Sequence, residues 1–225
     1  MPLFVVIPVF NELPEVLYAV IRQFSSNYFL VIVDDGSAIN YTITIENAVL
    51  LKQTANQGQG AAIRIGIDYA LKNGAGYIAT FDADGQHRFT DLQKMDTIIQ
   101  ANNYDVVIGS RFGSPTTGMP FMKKLVLKGG VLFQNAIFGI HLTDAHNGLR
   151  IFNKNAAKKI TITENRMAHA SDIIYQIKLH KLTYFEVPIQ VEYPRYAIKK
   201  GQSIFNSLAI LFLILKIRFR KNSGL

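Results

Sequence analysis

Residues 81–87 read FDADGQH, which sets the carboxylates of Asp82 and Asp84 one residue apart, with the Gln86 amide close behind, at the end of an apolar run. Hard oxygen donors in this arrangement suit Mg²⁺ or Mn²⁺. Such ions take one or two carboxylates and complete their octahedron with water and substrate phosphate oxygens. An incomplete metal site of this kind implies a phosphorylated substrate. A D-x-D pair alone reads as readily as a solvated turn; its weight here comes from further polar turns at strand ends. Residues 29–33 (FLVIV) run into Asp34, Asp35, Gly36 and Ser37, and residues 3–7 (LFVVI) lead through Pro8 to Asn11 and Glu12. A nucleotide fits such a crevice, with Asp35 accepting hydrogen bonds from base or ribose, Asp82 holding the ribose, and Asp84 with Gln86 reaching the diphosphate through the metal.

The elements that must position these groups follow from hydrophobic pattern. Residues 3–7, 29–33 and 77–81 are continuous apolar, β-branched runs of the kind buried on both faces of a parallel sheet. Between them residues 13–24, 60–72 and 91–101 carry helical periodicity, with Ile63, Ile67, Ala70 and Leu71 on one side of the second. Alternating strands and helices predict an α/β fold with a mostly parallel central sheet and helices on both faces. Ligands of such sheets gather beyond the carboxyl ends of the strands. Residues 105–108 add a strand and residues 184–191 a late one, in which Pro188 favours an edge. Residues 39–45 carry mixed signals and stay unassigned.

A length of 225 residues fits one catalytic domain. The absence of cysteine excludes disulfides and thiolate metal sites. The first residues lead straight into a strand pattern, so no secretory signal is expected. No histidine pair has zinc-motif spacing, so His87 is expected to back the DADGQ turn and His180 to lie on the surface. NQGQG at 56–60 lacks the G-x-G-x-x-G pattern, which argues against a nicotinamide enzyme. The 24 Lys and Arg against 16 Asp and Glu give a net charge of +8, although the acids cluster at the proposed site. No nucleic-acid motif accompanies that charge, so nucleic acid is not an expected partner. Lys123, Lys124 and Lys128 fall in one segment, and Lys199, Lys200, Lys216, Arg218, Arg220 and Lys221 flank the apolar residues 204–217. This distribution points to an anionic membrane surface. The stretch 204–217 is shorter than the roughly twenty residues a spanning helix needs, and reads as an interfacial or groove-docked helix. Residues 125–142 read as a second amphipathic, membrane-facing helix, or equally as a helix packed on the sheet.

Several segments together carry a resemblance: PVFNE at 8–12, DDGS at 34–37, NQGQGAA at 56–62, DADGQH at 82–87, GSR at 109–111 and DAHNGLR at 144–150. In this order they resemble the family 2 glycosyltransferases of GT-A fold, and within them the polyprenyl-phosphate hexose synthases typified by dolichol-phosphate mannose synthase. The resemblance implies a GT-A nucleotide-diphospho-sugar transferase domain over residues 1–202, followed by a membrane- or partner-docking amphipathic helix over 203–221. It implies a nucleotide-sugar site formed by Pro8, Phe10, Glu12, Asp35, Gly60, Asp82 and Ala83, and a metal on Asp84 and Gln86. The acceptor phosphate would be held by Arg111, Lys123, Lys124 and Arg150, with Asp82, Asp84 and Arg111 central to catalysis. Related synthases carry a further arginine where this chain has Lys123 and Lys124, which lack the bidentate fork. Asp172 falls where the family often places an acidic residue after a mobile loop, which makes it a candidate to contact the sugar.

The expected reaction is inverting transfer of a hexose or N-acetylhexosamine from a nucleotide-sugar to a polyprenyl phosphate. A UDP donor and undecaprenyl phosphate are favoured, for cell-envelope glycan synthesis. An ionised lipid phosphate needs no general base. The alternatives are transfer to a nonlipid or growing glycan acceptor, and a catalytically silent nucleotide-binding membrane adaptor. The expected location is the cytoplasmic face of the membrane, held peripherally, with a small integral-membrane protein as a further partner.

Overall fold

The computed structural model describes residues 1–112, 121–144 and 146–192. In chain order these form β1 (Leu3–Val9), α1 (Pro14–Ile21), β2 (Tyr28–Asp34), β3 (Ala48–Lys52), α2 (Gln59–Lys72), β4 (Tyr77–Thr80) and α3 (Phe89–Ala101). There follow β5 (Val106–Ser110), α4 (Phe121–Phe138), β6 (Arg150–Asn153), α5 (Lys154–Lys159), α6 (His169–Leu179) and β7 (Tyr184–Pro188). The seven strands form one sheet in the order β3-β2-β1-β4-β6-β5-β7. All neighbours pair in parallel except β6, which runs antiparallel between β4 and β5.

Strand alternation divides the core into two layers. Phe4, Val6, Val31, Val33 and Ile78 point to a face covered by α2, α4, α5 and α6. Leu3, Val5, Ile7, Leu30 and Ile32 point to the other, where Leu17, Val20 and Ile21 of α1 and Leu92, Met95 and Ile99 of α3 cover them. The α/β expectation, with helices on both faces, is met.

The differences have physical causes. β6 has only four residues, too few to show a period. β3 is an edge strand, half-buried along most of its length, so its apolar signal is diluted. Residues 39–45 form no regular element, yet Tyr41 is buried and its hydroxyl donates to the Glu12 carbonyl at 2.7 Å. The late strand stops at Pro188 and lies at the sheet edge, where a residue without an N–H costs no ladder bond. α4 starts at Phe121 and ends at Phe138, where Gly139 adopts φ +63° and stops the helix. Among the described residues no helix is long and apolar enough to cross a membrane. The expected helix at 203–221 and the domain boundary before it lie outside the described residues.

Candidate active site

Parallel pairing brings the ends of β1, β2 and β4 to one edge. Val9 is in register with Asp34, and Val6 with Thr80. The turns beyond β1 and β2 are latched together. Asn11 N donates to Ser37 Oγ at 2.8 Å, Ala38 N to Asn11 Oδ1 at 2.9 Å, and Ser37 N to Asp34 Oδ1 at 2.9 Å. At this rim Phe10 is 46% exposed, Pro8 half-buried and Glu12 buried.

Asp35 is buried, and both its oxygens face the chain. Oδ1 accepts from Gln53 Nε2 at 2.7 Å and Gln57 N at 2.9 Å; Oδ2 accepts from Asn56 Nδ2 at 2.9 Å and Gly58 N at 2.7 Å. Four donors fill the lone-pair sites of a carboxylate. This side chain shapes the loop entering α2. Gly58 takes φ +107° in that loop, a conformation open to glycine. Gly60, in the first turn of α2, packs on residues 164–165 and His169.

The next residue after Gly58, Gln59, turns inward and donates to Asp82 Oδ1 at 3.0 Å, while His87 Nε2 lies 3.2 Å from Asp82 Oδ2. Gly148 packs directly on the same carboxylate: a methyl there would fall 2.0 Å from Oδ2. Burial pushes the Asp82 carboxyl up, but the His87 hydrogen bond and charge, with Arg150 beyond, outweigh it and hold the pKa below the ordinary value. Asp84 behaves oppositely. Burial, then the charges of Asp82 and Glu12, raise its pKa to about 6 against the Gln86 backbone N–H, which donates to Oδ1 at 3.0 Å. Ala83 is buried between the two.

That surplus of negative charge tests whether a divalent cation fits. Among the described residues no three acidic, histidine or cysteine side chains group into a self-sufficient metal cage. What exists is a hard-oxygen donor set of Asp84 and the nearby Gln86, with neighbouring carboxylates that disfavour its ionisation. A small divalent ion that draws its remaining ligands from water and phosphate fits these donors.

Beside the acids stands a buried basic group. Arg150 opens β6 in register with Thr80 and Ile108; because β6 runs antiparallel, its first residue lies at the edge where its neighbours end. Arg150 is almost fully buried, which lowers its pKa to about 10 against the opposing pull of Asp82 and Asp144. Arg111, one residue past β5, donates from Nε to Asp144 Oδ2 at 2.6 Å and from its backbone N at 3.0 Å. Asp144 is in turn placed by Glu186 of β7, whose Oε1 accepts from Asp144 N at 3.1 Å and Thr143 N at 3.0 Å. His146 and His169 are neutral, burial lowering each to about 4. Buried Gln134 of α4 and His146 have no side-chain hydrogen-bond partner among the described residues.

The structure thus gathers Asp82, Asp84, Gln86, Arg111 and Arg150 at one edge. Lys123 and Lys124 lie in the first turn of α4, Lys124 exposed, while Lys128 Nζ sits 5.7 Å above the Phe112 ring, next to Arg111. Asp172 does not open to a sugar. It is buried, and its Oδ2 accepts from Thr163 N at 2.7 Å and Thr163 Oγ1 at 2.9 Å. The sequence reading assigned no individual role to four contributors: Gln59, Gly148, His169 and Glu186. A lone acid inside the apolar strand YFEVP was a usable signal for Glu186.

Comparison with known proteins identifies the family and the fold. Residues 4–161 match the model of glycosyl transferase family 2. The chain is 30% identical to the UDP-N-acetylglucosamine–dolichyl-phosphate N-acetylglucosaminyltransferase of Methanococcus voltae, covering 97% of each chain. It is 27% identical to the dolichyl-phosphate beta-glucosyltransferase of Dictyostelium discoideum, over 98% of this chain and 75% of that one. Glucosyl-3-phosphoglycerate synthase from Mycobacterium tuberculosis, solved with Mn²⁺, UDP-glucose and phosphoglyceric acid, shares the fold. Its TM-score is 0.70 at 14% identity, over 97% of this chain and 78% of that one.

Proposed function

The chain belongs to glycosyl transferase family 2, and we propose that within it the protein transfers a hexose or N-acetylhexosamine from a UDP-sugar to a polyprenyl phosphate such as undecaprenyl phosphate. Two relatives named above share dolichyl phosphate in their names while differing in the sugar. That supports the acceptor class more strongly than any one sugar.

The observation that carries the reading is the division of charge at the sheet edge. Asp82 and Asp84 form an acidic half, and Arg111 and Arg150 an adjoining basic half, held together by Asp144 and Asp82. Such a site accepts two phosphorylated ligands side by side. Pro8, Phe10, Glu12, Gly60 and Ala83 would line the donor pocket, with Asp35 shaping it through the loop it holds. Asp82, fixed by Gln59 and His87, would accept from the ribose. Asp84 and Gln86 would hold Mg²⁺ or Mn²⁺, which when bound supplies positive charge beside a leaving diphosphate.

Arg111 and Arg150, with Lys123 and Lys124 of α4, would hold the acceptor phosphate against repulsion from the donor. Its ionised oxygen then attacks the anomeric carbon opposite the bond to the diphosphate. That bond breaks as the new one forms, inverting the centre. Positioning two anions in line is the main contribution of these side chains. We place the protein peripherally at the cytoplasmic face of the membrane, with residues 1–202 as the catalytic unit and 203–221 as a segment for the bilayer or a small membrane protein.

The test uses purified protein, a panel of labelled sugar nucleotides, Mg²⁺ or Mn²⁺, and undecaprenyl phosphate. Label extractable into organic solvent is the expected result. Donor turnover with all label left in the aqueous phase overturns the lipid acceptor, and no turnover with any donor overturns the enzyme.

A further inference from the structure

After β7 the chain turns back to the acidic turn that follows β4. Ile189 N donates to Ser110 O at 3.0 Å at the end of β5, and Val191 forms an antiparallel bridge with His87. Glu192 N then donates to Gln86 O at 3.0 Å. Ile189 and Val191 are buried in the layer shared with α1 and α3. The crossing is therefore anchored by apolar side chains as well as by backbone.

Polar side chains lock the same contact. Arg88, the residue before α3, donates from Nε and Nη2 to Glu192 Oε1 at 2.9 and 2.7 Å, and from Nη1 to Gln190 Oε1. Gln190 N donates in turn to Asp91 Oδ2 at 3.0 Å, in the first turn of α3. The Arg88 and Glu192 side chains are 48% and 55% exposed, and an exposed ion pair adds little to stability. A planar guanidinium engaged by two side chains of one segment fixes direction instead.

The consequence falls on Gln86. Its N–H donates to Asp84 Oδ1 at 3.0 Å and its carbonyl accepts from Glu192 N, so the peptide groups on both sides of its side chain are held. Gly85 precedes it at φ +72°. A turn built on glycine has wide backbone freedom, which the returning chain restricts.

We propose that residues 189–192 and Arg88 form a clasp that positions Gln86 for the divalent ion, with Arg88 and Glu192 as positioning residues of the metal site. This rests on the reading of Asp84 and Gln86 as the metal donors. Arg88 and Glu192 are not themselves donors to the ion; they hold the backbone from which the Gln86 side chain departs. Removing a group that directly supports a metal ligand commonly lowers metal affinity by about 10–100-fold. The clasp acts one step further out, through backbone, so a loss of about three- to tenfold is expected.

The experiment titrates Mn²⁺ into the full chain with UDP present, reading free Mn²⁺ by its electron paramagnetic resonance signal. UDP titration in chelator and thermal unfolding run beside it. Arg88→Ala and Glu192→Ala should each weaken Mn²⁺ binding by about three- to tenfold, with metal-free UDP affinity and melting temperature close to wild type. Glu192→Gln, which still accepts from Arg88, should keep most of the Mn²⁺ affinity. In transfer assays the alanine variants should need more Mn²⁺ and recover the wild-type kcat at saturating metal. Wild-type Mn²⁺ affinity in both alanine variants overturns the clasp and leaves the metal reading intact. Parallel loss of Mn²⁺ and metal-free UDP binding overturns it in favour of general loosening, and a Glu192→Gln protein as weak as Glu192→Ala overturns it in favour of simple charge. Wild type that takes up no Mn²⁺ removes the metal reading and the role of the clasp together.

Discussion

Replacing Gly148 by alanine drives a methyl into the carboxylate at the centre of the site. The new carbon would lie 2.0 Å from Asp82 Oδ2, 2.5 Å from Cγ and 2.6 Å from Oδ1, where ordinary contact begins at 3.4 Å. Asp82 or the 146–149 turn must move by more than an ångström. The turn resists, because Thr80 Oγ1 donates to the Gly148 carbonyl at 2.6 Å. Asp82 is therefore the group that gives way, and a shift of that size breaks its bonds from Gln59 at 3.0 Å and His87 at 3.2 Å. Hydrogen bonds to a charged group contribute about 1.5–3 kcal/mol each. The Asp82 side chain is 26% exposed, so water recovers part of the loss. The expected net cost is about 2–4 kcal/mol, or roughly 4–16 °C in Tm for a chain of this size. Thermal unfolding and calorimetric titration with UDP measure both halves of the effect, since a displaced Asp82 should also weaken nucleotide binding about tenfold or more. Gly129→Ala is the control: its methyl meets nothing within 4 Å, so helix propensity should leave it neutral or slightly stabilised. A Gly148→Ala protein that melts and binds UDP like wild type would refute the packing of Gly148 on Asp82.

Asp84→Asn should abolish transfer and also report on charge. The folded pKa of about 6 lies above the ordinary 3.8, so the fold prefers the neutral carboxyl; that contribution is present below about pH 4 and lost as pH rises through 6. In chelator above pH 6 the Asn variant should melt higher than wild type, and Mn²⁺ should raise the Tm of wild type alone; equal melting curves in both conditions would remove the metal assignment. Arg111→Ala should raise the acceptor KM and lower kcat, together about 10–150-fold in kcat/KM for a lost charged contact of about 1.5–3 kcal/mol, with donor affinity near normal. An unchanged response to acceptor concentration moves the phosphate clamp elsewhere. Glu186→Ala should raise the acceptor KM severalfold by releasing Thr143 and Asp144, while Glu186→Gln, which keeps an acceptor oxygen, retains most activity. Equal effects of the two on KM would show that Asp144 does not depend on this contact.

Much of the site was legible because it is local. Asp82, Asp84 and Gln86 follow one strand within five residues, Asn11, Glu12 and Asp35 likewise follow theirs, and Asp34 closes β2, so a run of buried β-branched residues ending in acids announces the edge at which they collect. Pro188 announced an edge strand because its missing N–H admits few other places. Burial period and turn chemistry are properties of neighbouring residues, and sequence displays them directly.

Long-range direction and partner choice are not displayed. Arg150 reaches Asp82 only because β6 runs opposite to β4 and β5, so that Gly148 meets Thr80 across 68 residues of chain. Asp35 and Asp172 carry the residue type a ligand contact needs, yet adjoining loops and, at Asp172 Oδ1, Gln176 of α6 fill their oxygens with backbone and side-chain donors. The same sequence pattern left α4 as either a core helix or a surface one, and the packing made it both. The acids at the strand ends were thus determined by the sequence alone. Which of them face a ligand, and which arginine stands beside them, was decided by the tertiary structure, because a carboxylate in low dielectric takes whichever donors the fold brings within 3 Å.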